Sequence, residues 1–446
     1  MDAPVVIPLV DEGLGNSSYL VELGDHQALA VDASLDPRAL RAETGRRDLR
    51  VRFAADTHLH ADFLSGALQL AAVDNARVLA SVAGRREFAH QGLHEGDEVD
   101  LGGLILRALA TPGHTGEHLS FELLDGYMTV GVFTGGSLIV GGAARTDLVG
   151  ADRTEELTRL QYRSLERLTM LPDATKVWPT HGAGSFCSAP RGGDRTSTIG
   201  QERNSNPLLT APDEDTFVER LLSGLGSFPP YFLHLAEVNR RGPALTHDPT
   251  VAALDAAKVA ALVDSGAVLI DVRPVRDFAA GHIPGALSIP LRPQFVSWLG
   301  WLVEPGSSFV VVRNADQDMA EVAWQALKIG FKQPSGELAG GMASWDGRTI
   351  VTPLLRADEI GGTPVLDVRQ LNEFDTGHIP GATHIELGDL PNRIADVPPG
   401  PVVVMCGHGQ RAITAASILQ RTGKRPVRVL QDSAEEWAAA TGRALA

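Results

Sequence analysis

The residues of this chain that could do chemistry fall in three places. Thr57-His58-Leu59-His60-Ala61-Asp62 sets two histidines two apart on an extended segment, facing the same way, with an aspartate two further on. Imidazole and carboxylate at one strand end are metal-ligand types. Thr111-Pro112-Gly113-His114-Thr115 and Pro179-Thr180-His181-Gly182 each add a histidine in a turn after a strand-like run, where α/β layers collect ligands. A single such histidine reads as a hydrogen-bonded loop residue. Three turns together with the HxHxD spacing point to a metal site. The second place is Met405-Cys406-Gly407-His408-Gly409-Gln410-Arg411, which follows the apolar run Val402-Val403-Val404. A buried strand delivers a thiol to its C-terminal end, and two glycines let the backbone curl round the sulfur before a helix begins. Amides of Gly407, His408, Gly409 and Gln410 then face the sulfur and favour an anionic persulfide. Arg411 adds a fixed positive charge for a sulfur oxyanion or a carboxylate-bearing carrier. Without that setting, a buried free cysteine is one more small hydrophobe. The third place is Cys187, in Gly184-Ser185-Phe186-Cys187, whose plain reading is an inert loop thiol.

The elements that must hold these residues show a duplication. IDVRPVRDFAAGHIPGALSIP begins at Ile270, and LDVRQLNEFDTGHIPGATHIEL begins at Leu366. Asp271 and Asp367 stand 96 residues apart, so the repeat is a whole domain and not a solenoid unit. Each copy continues with an apolar strand (FVVV, then PVVVM), a polar loop and an amphipathic helix (MAEVAWQALKI, then RAITAASILQR). Strands alternating with helices predict doubly wound parallel sheets, placed at 250–350 and 354–446. Asp271–Arg273 and Asp367–Arg369 read as strand-end ion pairs. His282 and His378 read as loop-fixing hydrogen-bonding residues. In the first copy Asn314 is aligned with the cysteine and Met319 with the arginine, so this copy is expected to be inactive. The first 240 residues differ. Short β-like runs separated by Gly, Asp and Pro turns, with a helix near 152–171, predict a layered α/β domain. Residues 182–206 read as a long functional loop and 240–252 as a linker.

Composition narrows the class. Lys+Arg is 39 against Asp+Glu 55, a net charge of −16, which disfavours nucleic acid and anionic membrane as partners. No apolar run is long enough to span a bilayer. Two cysteines in 446 residues form no disulfide scaffold, and Met1-Asp2-Ala3-Pro4 opens no secretory signal, so a cytoplasmic location is expected.

The His-bearing turns resemble the metallo-β-lactamase superfamily, which implies an αββα sandwich over 1–240. Strand, Cys, four residues, Arg and helix after DVR…GHIPGA resemble the rhodanese sulfurtransferases. With GAGSFC, STIG and NSNP, the whole chain looks like the bacterial persulfide dioxygenase–rhodanese fusion proteins. That resemblance implies a mononuclear non-haem Fe(II) on two His and one Asp. Carried over, the ligands are His58 and His114, and Gly136 holds the Asp position. His60, Asp62 and His181 then serve as surrounding or substitute ligands. A His58/His60/His114 set is the expected rescue, and three His would suit zinc as well as iron. The resemblance also implies a cysteine near the metal pocket, Cys187. It further implies Cys406 as the sulfur-carrying nucleophile, and dimers or tetramers.

Two departures count against a two-metal hydrolase of the glyoxalase II kind. Phe63 stands where that motif has His, and Phe133-Thr134-Gly135-Gly136 lacks the bridging Asp. The missing Asp reads as natural divergence, an engineered exchange or a misalignment, and the altered stretch Gly141-Gly142-Ala143-Ala144-Arg145-Thr146-Asp147 favours divergence, with Arg145 and Asp147 as a structural ion pair. The expected activity oxidises a low-molecular-weight thiol persulfide (glutathione, coenzyme A or similar) with O2 to sulfite. Cys406 then carries sulfane sulfur, giving thiosulfate. The alternatives are a sulfurtransferase with an impaired metal site, a glyoxalase II-like hydrolase, and a non-enzymatic sulfur-relay scaffold.

Overall fold

The computed structural model describes residues 4–187, 193–423 and 426–446. The reading of the first three residues, and the part of the expected loop at 188–192, lie outside the described residues. By internal contacts the chain divides into two compact units, 1–248 with 325–331, and 249–324 with 332–446.

The first unit is built on two six-stranded sheets. One runs in sequence order through Val6–Asp11, Asn16–Leu23, Gln27–Val31, Arg50–Ala55, Arg77–Ser81 and Gln91–Leu93. It is antiparallel up to Gln27–Val31 and parallel beyond. The other orders Ser197–Thr198, Lys176–Pro179, Met128–Gly135, Leu119–Asp125, Leu104–Ala110 and Glu98–Asp100. Alternating apolar residues from both sheets meet in one core, with Tyr19, Leu29, Val31 and Phe53 against Leu106, Phe121, Phe133 and Trp178. Each such fully buried side chain contributes roughly 1.5–3 kcal/mol. The outer face of the first sheet carries a second apolar cluster that includes Leu40 and Leu70, from helices Arg38–Arg47 and Ala67–Asp74. The outer face of the other sheet meets Thr154–Leu168 and Glu214–Ser223 through Leu165, Leu168, Phe217 and Leu221. The layers are therefore α, β, β, α. Part of the expected loop at 182–206 is ordered, because Ser197–Thr198 adds an edge strand and Thr198 caps the helix Ile199–Ser205 through the Gln201 amide.

The second unit holds both copies of the repeat. In each, five parallel strands occur in the same spatial order. The first copy orders Ala253–Leu254, Gly336–Leu338, Phe309–Val312, Val268–Asp271 and Leu287–Ser288. The second orders Leu354–Leu355, Val427–Leu430, Val402–Met405, Val365–Asp367 and Thr383–His384. The central strands are buried at every position, as parallel strands covered on both faces require. Arg273 Nη2 lies 2.6 Å from Asp271 Oδ2, and Arg369 Nη2 lies 2.7 Å from Asp367 Oδ2. Each arginine also donates to a glycine carbonyl at the helix end, Gly281 or Gly377, at 2.9 Å. His282 and His378 bond the Phe278 and Phe374 carbonyls and stack on those rings at 3.7 Å.

The strand register corrects one alignment. Asp271 pairs with Val312, and Asp367 pairs with Met405. The residue after the central strand is therefore Arg313 in the first copy and Cys406 in the second, and Asn314 falls one place further on. No helix among the described residues is long and apolar enough to cross a membrane.

Candidate metal centre and candidate sulfur-carrying site

The turns that end three strands of the first unit bring His58, His114 and His181 together, all buried, with ligand atoms within 4.8 Å of one another. Each ring is held from behind. Thr57 Oγ1 donates its one proton to Asp32 Oδ2 at 2.8 Å, so it accepts from His58 Nδ1 at 2.8 Å. His114 Nδ1 donates to the Arg145 carbonyl at 2.6 Å. Asn16 donates Nδ2 to Asp62 Oδ2 at 2.7 Å, which turns its Oδ1 toward His181 Nδ1 at 3.1 Å. In all three rings the proton sits on Nδ1, and the Nε2 lone pair is left over. His58 Nε2 and His181 Nε2 approach to 3.4 Å, so the two atoms converge on one place. His114 Nε2 is buried with no partner. Burial and the neighbouring imidazoles push His58 well below the usual imidazole range. Burial, then His181, takes His114 down to about 3; burial, then His60, takes His181 to about 3. Neutral imidazoles with converging lone pairs are the donor set a divalent metal takes, so the residues present fit one.

His60 is not in this set. It lies 3.2 Å from Asp32 Oδ1, off the line of a hydrogen bond, and stacks on Phe63 at 4.1 Å. It belongs to a second buried group with Asp32 and Asp56. Burial opposes its protonation, but Asp32, Asp56 and Asp62 raise it above the usual imidazole value. Asp32 is held at about 2 despite its own burial, by His60, Thr180 and the Thr57 amide. Of the expected His58/His60/His114 set, His58 and His114 are brought together with His181, and His60 lies outside that group. The reason is local: His58 and His60 lie past the end of Arg50–Ala55, in irregular backbone where strand alternation no longer holds.

Gly136 leaves no room for a side chain. A Cβ there would stand 2.2 Å from His114 Cδ2. Its amide donates to His118 Nε2 at 3.0 Å, and His118 stacks on His58 at 5.0 Å. His118 escaped the sequence reading, although it sits one helical-type spacing beyond His114. Asn16, Asp32 and Asp56 also escaped it, their signal being polar residues at strand ends. Asp62 is buried, with Oδ1 unpartnered, and groups with His181 and Cys187. Burial, then Asp62, pushes the Cys187 thiol well above its usual range, so it stays protonated. Arg145 pairs with Asp147 at 2.7 Å.

In the second unit Cys406 directly follows the central strand and is 1% exposed. The turn after it closes on Gly409, in the left-handed region at φ 76°, and the helix Gln410–Arg421 begins there. The first amides of a helix have no acceptor within it and point back toward the strand end. Gly407, His408, Gly409 and Gln410 all lie in this turn. Arg411 does not stand free as the sequence reading has it. It is bound by Glu373 at 2.5 and 2.7 Å, so its charge is answered by a carboxylate from the helix Leu371–Thr376.

Two classes of domain meet in this chain. Residues 11–181 match the metallo-beta-lactamase superfamily, and residues 255–348 and 352–440 each match the rhodanese-like domain. The mouse protein called persulfide dioxygenase ETHE1, mitochondrial, is 30% identical over 227 residues, covering 48% of this chain and 79% of its own length. Its human counterpart is 28% identical over 220 residues, with the same coverage. A crystal structure of a metallo-beta-lactamase from Staphylococcus aureus subsp. aureus COL aligns with a TM-score of 0.67 at 26% identity, over 76% of this chain and 99% of that one. The chain belongs to the persulfide dioxygenase family within the metallo-β-lactamase superfamily, extended by two rhodanese-like domains.

Proposed function

We propose that the chain oxidises a low-molecular-weight thiol persulfide in its first unit and carries sulfane sulfur on Cys406 in its second. The observation that carries this reading is the union in one chain of two things: three outward-tied histidines with converging Nε2 atoms, and a cysteine at the turn between a buried strand and a helix. A non-haem iron held by His58, His114 and His181 would supply O2 activation, with sulfite as the product. Around it, this chain's residues orient the ligands. Thr57, Arg145 and Asn16 fix the three tautomers, and the buried walls exclude bulk water. Three neutral ligands in place of two plus a carboxylate leave the metal more positive, and suit zinc as well as iron.

At Cys406 the thiolate attacks the outer sulfur of a persulfide or thiosulfate. The donor's S–S bond breaks, and thiol or sulfite leaves with the electron pair. The Cys406 persulfide then gives that sulfur to an acceptor, and sulfite as acceptor yields thiosulfate. Joining the two activities raises the effective concentration of sulfite at the second site.

The test is metal content and O2 uptake with glutathione persulfide, measured on protein from iron-supplemented medium. About one metal per chain and persulfide-dependent O2 uptake are expected. His181→Ala should lose most of the metal, and His60→Ala should retain it. Metal-free protein that transfers sulfur but takes up no O2 would leave sulfurtransfer alone as the activity.

A further inference from the structure

The two copies of the repeat differ at one position that faces the seam between them. The Leu291 amide bonds the Val272 carbonyl at 2.9 Å, and the Leu387 amide bonds the Val368 carbonyl at 3.3 Å. Arg292 and Gly388 therefore occupy the same place in the two copies. At Gly388 a Cβ would stand 2.5 Å from Trp301 Cε3 of the first copy, so that side of the seam is filled. At Arg292 the seam is open. A cleft of about 620 Å³ is lined there by Leu291 and Arg292 from the first copy and by His408 and Gln410 from the cysteine turn of the second.

Arg292 is half-buried, and no carboxylate or carbonyl among the described residues pairs with its guanidinium. Burial works most against its cationic form, a negative charge on Cys406 would favour that form, and Arg411 opposes it. Arg411 is already neutralised by Glu373. Gln410 Oε1 is buried and unpartnered beside it. The acidic groups of the cleft are engaged elsewhere. Asp432 pairs with Arg356 at 2.9 Å, Asp277 accepts from Asn314 Nδ2 at 2.5 Å, and Glu436 accepts the Ser433 amide at 2.7 Å. A partly desolvated guanidinium without a partner is costly unless an anion completes it.

We propose that Arg292, carried by the copy that lacks a cysteine, is the anion receptor of the Cys406 site, and that it selects small sulfur oxyanions of the thiosulfate and sulfite class. This rests on the reading of Cys406 as a sulfur carrier. The oxyanion is held by Arg292 while its outer sulfur passes to the Cys406 thiolate. The S–S bond breaks, sulfite departs with the bonding pair, and Cys406 is left as the persulfide anion. The second copy thus borrows its cation from the first.

Two measurements on the full chain test this. In Arg292→Gln the KM for thiosulfate should rise about 10-fold or more with a smaller change in kcat, and Arg292→Lys should recover part of it. Independently of transfer, Cys406 should be alkylated by iodoacetate faster, relative to neutral iodoacetamide, in the native chain than in Arg292→Gln. Peptide mass analysis separates Cys406 from Cys187. The ratio should fall about 10-fold in Arg292→Gln and hold within about 3-fold in Arg292→Lys. An unchanged KM and an unchanged ratio in a variant of unaltered melting temperature would overturn the proposal. So would failure of both reagents to reach Cys406, because the cleft would then not lead to the sulfur. If Arg292→Gln does not fold, the ratio in Arg292→Lys against Arg292→Met decides. A native chain that shows the alkylation preference but transfers no sulfur would sink the carrier reading and leave the anion site standing.

Discussion

The two copies of the repeat hold the same sheet, the same Asp–Arg pair and the same stacked His–Phe pair, yet only one ends its central strand in a thiol. In the second copy Cys406 is followed by a short turn closed by Gly409, and the helix starts at Gln410. In the first copy Arg313 stands in the equivalent place, and the helix starts only at Met319. Its guanidinium is bound by Glu337, with Nη2 to Oε1 at 3.0 Å, and donates to the Gln317 carbonyl at 2.8 Å. The cradle is thus filled by a side chain that satisfies itself. The difference teaches that the fold is specified by the strand-end ion pair and the buried strands, and the chemistry by a handful of residues beyond them. The Cys-less copy keeps its structure because nothing that folds it was lost.

The sharpest break of that comparison is an exchange of the two strand-end residues. Cys406→Ser should reduce sulfurtransfer by about 10³-fold or more, as loss of a nucleophile does. Arg313→Cys should gain none, because the longer turn gives the new thiol no helix start at the right distance and leaves Glu337 unpaired beside it. Thiosulfate:cyanide transfer assays check both, and activity from Arg313→Cys with Ser at 406 would dissolve the distinction. A smaller effect tests what is shared. Asp271 is fully buried and Asp367 likewise, each against an arginine only 5% exposed. Asp271→Ala and Asp367→Ala should each cost about 3–5 kcal/mol, the usual penalty for stranding one partner of a buried pair. Urea unfolding measures this. Near-equal losses support a common structural role, and a loss confined to Asp367 would tie the pair to chemistry instead.

Much of this was legible in the sequence, for physical reasons. The repeat, the parallel strands and the layered first unit follow from apolar runs and turn residues. Cys406 and its turn stand out because strand, glycines and helix start are all local. What the sequence hid depends on register and on distance. Arg313 was missed as the counterpart of Cys406 because the two turns differ in length, and only the pairing of Asp271 with Val312 fixes the offset. The sequence places His181 around the candidate ligands, and the fold groups it with His58 and His114. The HxH spacing suggested His60, but the backbone there is no longer a strand, and Asp32 captures that ring. The neutralisation of Arg411 by Glu373 joins residues 38 apart, and no local pattern reports it. Arg292 lies in the other copy altogether.

The most direct test of the central claim is the mass of the Cys406 peptide after the purified chain is mixed with thiosulfate and separated from it. One added sulfur atom on that peptide is expected, removed by cyanide or sulfite and absent in Cys406→Ser. A Cys406 peptide that stays unmodified while sulfur appears on Cys187, or on no residue, would contradict it.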